Sequence, residues 1–424
     1  MEGNKVVKDK EKFPKECVLL IFLCWLVYMC SYLGKVNYSA VKVQVMQYYS
    51  VDESAAGLVG TFLFFSYAIG QIVNGLFCKK YNLKWIVFGA VLCSGIMNIL
   101  VGFSKSFQFV KIFWLINGAA LSILWPCVIR LLSETLAKKH MPIASVSMGT
   151  TVAVGTLLIY GLSSIFIKFN FKLSFFVPGV VLAVVAFVWL LLYSKALNDA
   201  VEAEKVFEEE IITNDSVEHQ RTTKREERLL YLMLGVLPVF AIATNLIKDG
   251  LTSWMPKILI DEYNLDESIS IILTLSLPLF AMFANFFAVS LHKKITNFVY
   301  QCTFIYGVTG LLIGGIILFL PQKVMMVTLF GCIVSCFLTS SCNSVITSIV
   351  PLYMKGKLDA GKLAGFLNAF CYLGSVISDY GLGTVKKYFS WSTVFGLLFA
   401  FCVLCCFVGL VYFLIKTKME RQKK

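Results

Sequence analysis

Apolar runs long enough to cross a hydrocarbon core of about 30 Å recur along the chain. They lie near residues 17–40, 54–77, 85–103, 107–130, 143–167 and 172–195. A polar stretch from Leu197 to Arg228 then intervenes, and the runs resume near 229–254, 268–290, 298–320, 324–350, 361–385 and 391–415. This pattern predicts an all-α membrane protein of about 12 transmembrane helices, six on either side of a linker. Residues 1–196 and 229–424 are expected to form two helical bundles, with 197–228 as a solvated connector that carries Glu208-Glu209-Glu210 and then Arg221, Lys224, Arg225 and Arg228. The other loops are too short to hold a soluble catalytic domain. Neither a Walker A sequence nor a G-x-S-x-G elbow occurs, so ATP-driven pumping and acyl-transfer chemistry are not expected.

Two polar exceptions inside the apolar runs carry the functional reading. Lys35 lies in the first run and Lys248, 213 positions later, in the seventh. Each is followed by the triplet Asp-Glu-Ser, at Asp52-Glu53-Ser54 and 214 positions later at Asp266-Glu267-Ser268. Tyr160-Gly161-Leu162 is echoed by Tyr380-Gly381-Leu382 at an offset of 220, and together these repeats indicate parallel duplication of one module. A charge in hydrocarbon costs at least a few kcal/mol, so both lysines are expected to face a polar cavity or hold a partner. Paired cations between two halves suit a small anionic solute, and a desolvated lysine also leaves a proton-coupling role open. Asp249 adjoins Lys248 but projects about 100° away on an ideal helix, which makes a direct pair poor. Asp379 is the other acid inside an apolar run, expected either as a counter-ion for one of the lysines or at the outer interface. Tyr32, Asn37 and Tyr38 flank Lys35, and Asn368 and Tyr372 lie in the eleventh run; these are candidate ligand-orienting groups. Arg130, after Trp125-Pro126, is a candidate cytoplasmic gate.

Composition narrows the class further. The chain is 58% hydrophobic, above the 45–50% apolar share usual in soluble domains. Its net charge of +13 is one-sided: with the amino terminus inside, 27 Lys and Arg fall on the inner face and 9 in the outer loops. That is the positive-inside signature of a plasma-membrane protein with both termini cytoplasmic. The charge is spread over short segments rather than gathered on one face, which excludes a nucleic-acid partner. The first run contains Lys35 and Asn37 and shows no small-residue cleavage pattern, so a retained helix is expected rather than a signal peptide. Most of the 14 cysteines lie in apolar helices, where they act as small hydrophobes. Cys402 and Cys405 form a CxxC with no His or second pair nearby, so no metal or cofactor is expected.

Tyr32-Leu33-Gly34-Lys35-Val36-Asn37, Trp125-Pro126-Cys127, Lys248-Asp249-Gly250 with Trp254-Met255-Pro256, and the stretch from Gly365 to Gly374 resemble the organophosphate:phosphate antiporter family of the major facilitator superfamily. Gly75-Leu76-Phe77-Cys78-Lys79-Lys80-Tyr81-Asn82-Leu83-Lys84 occupies the place of the superfamily's signature loop, with Lys79 replacing its usual acid. The resemblance implies two six-helix bundles rocking about a central site, with basic residues at positions 35 and 248 binding substrate phosphate. Both are arginine in the best-known members, and lysine lacks arginine's planar fork. Gln71, Thr151 and Ser253 also depart from the glycerol-phosphate type, which has a lysine, a histidine and an acid there. The expected function is therefore secondary transport of a small anion, foremost an organic phosphate exchanged for inorganic phosphate, by a monomer embedded in the bilayer. The alternatives are a proton- or sodium-coupled transporter of a carboxylate or sugar-like solute, and a membrane sensor of sugar phosphates. An enzyme is not expected.

Overall fold

The structure is a computed structural model that describes residues 14–77, 80–137, 140–208, 224–354 and 360–421. Among the described residues the α-helices follow in the order α1 (Glu16–Leu33), α2 (Asn37–Ala40), α3 (Lys42–Tyr49), α4 (Glu53–Phe77), α5 (Leu83–Phe103), α6 (Phe107–Leu121), α7 (Leu124–Thr135), α8 (Met141–Phe166) and α9 (Leu173–Glu208). The second half continues with α10 (Lys224–Tyr263), α11 (Glu267–Thr274), α12 (Ser276–Ala281), α13 (Ala284–Lys294), α14 (Phe298–Phe319), α15 (Met325–Ser344), α16 (Val350–Tyr353), α17 (Ala360–Tyr388) and α18 (Trp391–Arg421). Among the described residues, 11 helical segments are long and apolar enough to span a membrane. The 29-residue α17, where the eleventh apolar run was expected, is not one of them and packs along α4 and α10. Part of the expected linker is helical, since α9 runs on to Glu208 and α10 begins at Lys224. Glu209, Glu210, Arg221 and Lys79 lie outside the described residues.

The hydrophobic core is divided in the same sense as the chain. One cluster draws on residues from Met233 to Tyr412. Two others draw on residues from Cys17 to Ala200, with Ile271, Leu275 and Tyr372 reaching in from the second half. The cysteines in these clusters are free thiols packed as apolar groups, and no cluster of metal-binding side chains occurs among the described residues.

The repeated Asp-Glu-Ser triplets acquire a structural explanation. Asp266 caps α11, its side chain accepting from the backbone amides of Ser268 and Ile269. Asp52 does the same for α4, its Oδ1 accepting from the Ala55 amide at 2.8 Å. That amide, followed by the Lys387 ammonium, holds the Asp52 carboxyl below its ordinary value. Two residues before each aspartate the backbone turns left-handed, at Ser50 (φ 52°) and Asn264 (φ 53°). The triplets therefore end one span and start the next in both halves. We refer to the side of the molecule that carries them as the capped end.

The first span is not one continuous helix. α1 stops at Leu33, and Gly34-Lys35-Val36 separates it from α2. The Gly34 carbonyl, lost to the helix ladder, accepts from Asn98 Nδ2 at 3.1 Å and Asn117 Nδ2 at 2.8 Å. Asn37 Nδ2 donates to Asn98 Oδ1 and to the Ser174 carbonyl, both at 2.8 Å. In hydrocarbon a broken backbone is tolerated only when its polar groups find such partners. Asn98→Ala would remove two of these bonds, and we expect it to lower stability by about 1–3 kcal/mol or more. Thermal unfolding in detergent, compared with Asn170→Ala at the exposed turn, would check this; equal melting temperatures for Asn98→Ala and the parent would contradict it.

Candidate functional site

The break in the first span turns Lys35 into the interior. Its side chain is 6% exposed, and Nζ lies 3.8 Å from the ring centroid of Tyr67, 5.1 Å from those of Tyr32 and Tyr372, and 6.0 Å from that of Phe64. Ring faces carry partial negative charge, so this aromatic box stabilises the ammonium without a carboxylate in contact. Three of its rings come from the first half, whereas Tyr372 comes from α17. Tyr67 and Tyr372 meet across the halves with centroids 4.6 Å apart.

Lys248 occupies the corresponding place in the repeat but has other surroundings. It lies within the continuous α10, and its Nζ is 3.4 Å from Oδ1 of Asp249. This corrects the expectation from ideal helix geometry: a four-carbon stem is long enough to fold round the helix to its neighbour. The other carboxylate oxygen of Asp249 accepts from Ser375 Oγ at 2.5 Å, and Ser375 accepts from Asn245 Nδ2 at 3.1 Å. Lys248 and Asp249 remain partly exposed, at 24% and 21%. Both lie within electrostatic reach of Lys35.

Asp379 proves to be the counter-ion of neither predicted lysine. It pairs with Lys42 at 2.7 Å, both side chains being nearly inaccessible at 1% and 2%. Lys42 reads as an outer-loop residue in the sequence because it follows the apolar run; the helical path continues through α3 and carries it inward. Ser253 hydrogen-bonds both Lys42 and Asp379, so a serine stands beside an acid from another helix at a position where the resembling family has its own acid. The Lys42 ammonium also lies 3.9 Å from the Trp254 ring centroid. The close approach needs glycine: a Cβ at Gly57 would come within 2.1 Å of the Asp379 carbonyl, and one at Gly60 within 2.0 Å of its carboxylate.

This Lys42–Asp379 latch is the centre of a wider closure at the capped end. Around it, Glu267 accepts from Gln44 and Gln47, Ser54 bonds Thr384, Lys257 pairs with Glu53, and Lys387 pairs with Asp52. All of these cross from one half to the other. The remaining sequence candidates divide. Asn368, half-buried, lies on the same α17 face as Tyr372, Ser375 and Asp379. Asn37 is fully buried in the polar support of the helix break, and Tyr38, 1% exposed, donates to the Ala56 carbonyl at 2.8 Å. These two are committed to packing and do not reach the site. Arg130 bonds Glu134 at 2.9 Å and the Tyr81 carbonyl at 3.2 Å, which ties α7 to the turn between α4 and α5 within one half.

The Major Facilitator Superfamily model matches residues 24–379, most of the chain. The chain belongs to the Major Facilitator Superfamily. A probable hexose phosphate transport protein of Chlamydia muridarum is 21% identical over 97% of this chain and 92% of its own length. Human sugar phosphate exchanger 3 is 26% identical over 36% of this chain and 33% of its own length. These relatives accord with the resemblance to organophosphate:phosphate antiporters read from the motifs. Among solved structures, a bacterial homologue of the human lysosomal transporter Spinster, in an inward-facing and occupied conformation, superposes with a TM-score of 0.71 at 14% identity, covering 96% of this chain and 98% of that one. This chain is thus a multi-pass membrane transporter and not an enzyme.

Lys42 carries no obvious signal in its immediate neighbours, but it lies seven residues after Lys35. Removing one partner of a buried pair typically costs about 3–5 kcal/mol, which the transporter can relieve by parting at the capped end. Lys42→Ala is therefore expected to lengthen the distance between spin labels at positions 54 and 384, and Lys42→Met combined with Asp379→Leu to restore it. An unchanged distance in Lys42→Ala would show that the latch does not hold that end.

Proposed function

We propose that this transporter exchanges an organic phosphate for inorganic phosphate across the plasma membrane by alternating access. The reading rests chiefly on one observation: the Lys35 ammonium sits in a box of rings drawn from both halves, within electrostatic reach of Lys248 from the second half. An anion between them would attract both halves at once, favouring the closed intermediate through which exchange must pass. The tyrosines supply ring faces and hydroxyls for the organic part of the substrate, and Asn368 a further hydrogen-bonding group. Hexose phosphate and sugar phosphate names among the relatives support the same substrate class.

In this reading α17 is the eleventh of twelve spans, and the basic termini are cytoplasmic. The capped end then faces outward. With its latch closed, this arrangement is open, or poised to open, toward the cytoplasm. The transporter is expected to work as a monomer, since each chain contains both halves of its site.

Radiolabelled phosphate uptake into proteoliposomes tests the proposal. Uptake should depend on phosphate preloaded inside and fall at least about tenfold in Lys35→Ala and Lys248→Ala, the equivalent of about 1.4 kcal/mol or more. Lys105→Ala, at an exposed turn, should retain it. Folded protein without phosphate exchange would overturn the reading and direct attention to carboxylates and ion-coupled solutes.

A further inference from the structure

The charges around Lys248 contain an asymmetry that neither the duplication nor the fold explains. Lys35 and Lys248 are repeat-related, yet only Lys248 has a carboxylate beside it, at 3.4 Å. The Lys35 box is aromatic. Counting Lys35, Lys248 and Asp249 as ionised, the empty site carries one net positive charge. A singly charged anion would neutralise it. A doubly charged phosphate would leave one negative charge in a low-dielectric cavity, competing with Asp249 for the same ammonium.

We infer that Asp249 is a built-in competitor for the substrate: it neutralises Lys248 in the empty site, and takes up one proton when a phosphate dianion displaces it. The proposal rests on the phosphate reading above and adds the charge rule of the site. The geometry supplies both positions the exchange needs. Asp249 is held at once by Lys248 through Oδ1 and by the Ser375 hydroxyl through the other oxygen. When phosphate takes the ammonium, Ser375 can turn from donor to acceptor and receive the new carboxyl proton, because a hydroxyl serves either way. Its other bond, from Asn245, leaves the serine in place. No bond to phosphorus is made or broken; one proton moves from water to the carboxylate, and the site ends neutral.

Other ionisable groups surround Asp249 and must be separated from it in any test. They are Lys35 and Tyr32 on the first span, Tyr160 on α8, Cys336 on α15, and Cys371 and Tyr372 on α17. Tyrosine and cysteine are already protonated in their neutral forms, so a proton gained on anion binding must go to Asp249, to a lysine, or to phosphate itself. Substituting Asp249 distinguishes the first from the others.

The experiment is calorimetric titration of the purified full-length transporter with inorganic phosphate at alkaline pH, in buffers of different ionisation enthalpy. The wild type should take up about one proton per phosphate, and its affinity should fall by up to about tenfold per pH unit as pH rises. Asp249→Asn should bind phosphate with no proton uptake and a flatter pH dependence. Its melting temperature and binding enthalpy report whether it is folded and occupied, and Asp249→Ser serves as a second neutral variant. Phosphate binding by the wild type without proton uptake would overturn the assignment while leaving the exchange reading intact. Proton uptake that persists in both variants would do the same, moving the proton to a lysine or to phosphate. Absence of phosphate binding to folded wild type would remove the phosphate reading itself, and this assignment with it.

Discussion

A charge surrounded by apolar side chains must be answered within bonding distance, and the organisation of this transporter follows from that constraint. Three lysines meet it in three ways. Lys35 is surrounded by ring faces, Lys248 is beside the carboxylate of its neighbour Asp249, and Lys42 is sealed against an acid from the opposite half. The Lys42 ammonium is answered within the protein by Asp379, Ser253 and the Trp254 ring, which suits a latch better than a binding group.

One stripe on α17 serves all three. Tyr372, Ser375 and Asp379 are spaced three and four residues apart, and thus lie on one helical face. They meet Lys35, Asp249 and Lys42 respectively. At 1.5 Å per residue the stripe is only about 10 Å long, so the level of Lys35 and Asp249 and the Lys42–Asp379 pair are joined by two helical turns. A shift or tilt of α17 against α4 acts on both together. That provides a physical route by which site occupancy can influence closure of the capped end, without an intervening chain of contacts.

The duplication preserves positions more faithfully than surroundings. Matching aspartates cap α4 and α11 after matching left-handed turns at Ser50 and Asn264, which reproduces the junction between successive spans. Lys35 sits at a helix break supported by Asn98 and Asn117, whereas Lys248 sits in uninterrupted helix. Tyr160 is fully buried and bonds the Thr252 carbonyl across the halves, while its echo Tyr380 is exposed. The two halves have thus kept a common frame and divided the roles of its polar positions.

The sequence by itself determined the class of protein, the approximate spans and the two central lysines, because apolar runs and isolated charges within them report directly on the cost of leaving water. The stripe on α17 was also legible in part, since Tyr372 and Asp379 stood out one by one, although their common face did not. Tertiary structure alone decided the partners. It bent the chain at Gly34, carried Lys42 inward to Asp379, folded Lys248 back onto Asp249, and withdrew Asn37 and Tyr38 into packing. The physical reason is range. Burial is a property that each residue's local pattern announces, whereas an ion pair such as Lys42 with Asp379 joins groups 337 positions apart, and depends on how helices approach and rotate in three dimensions.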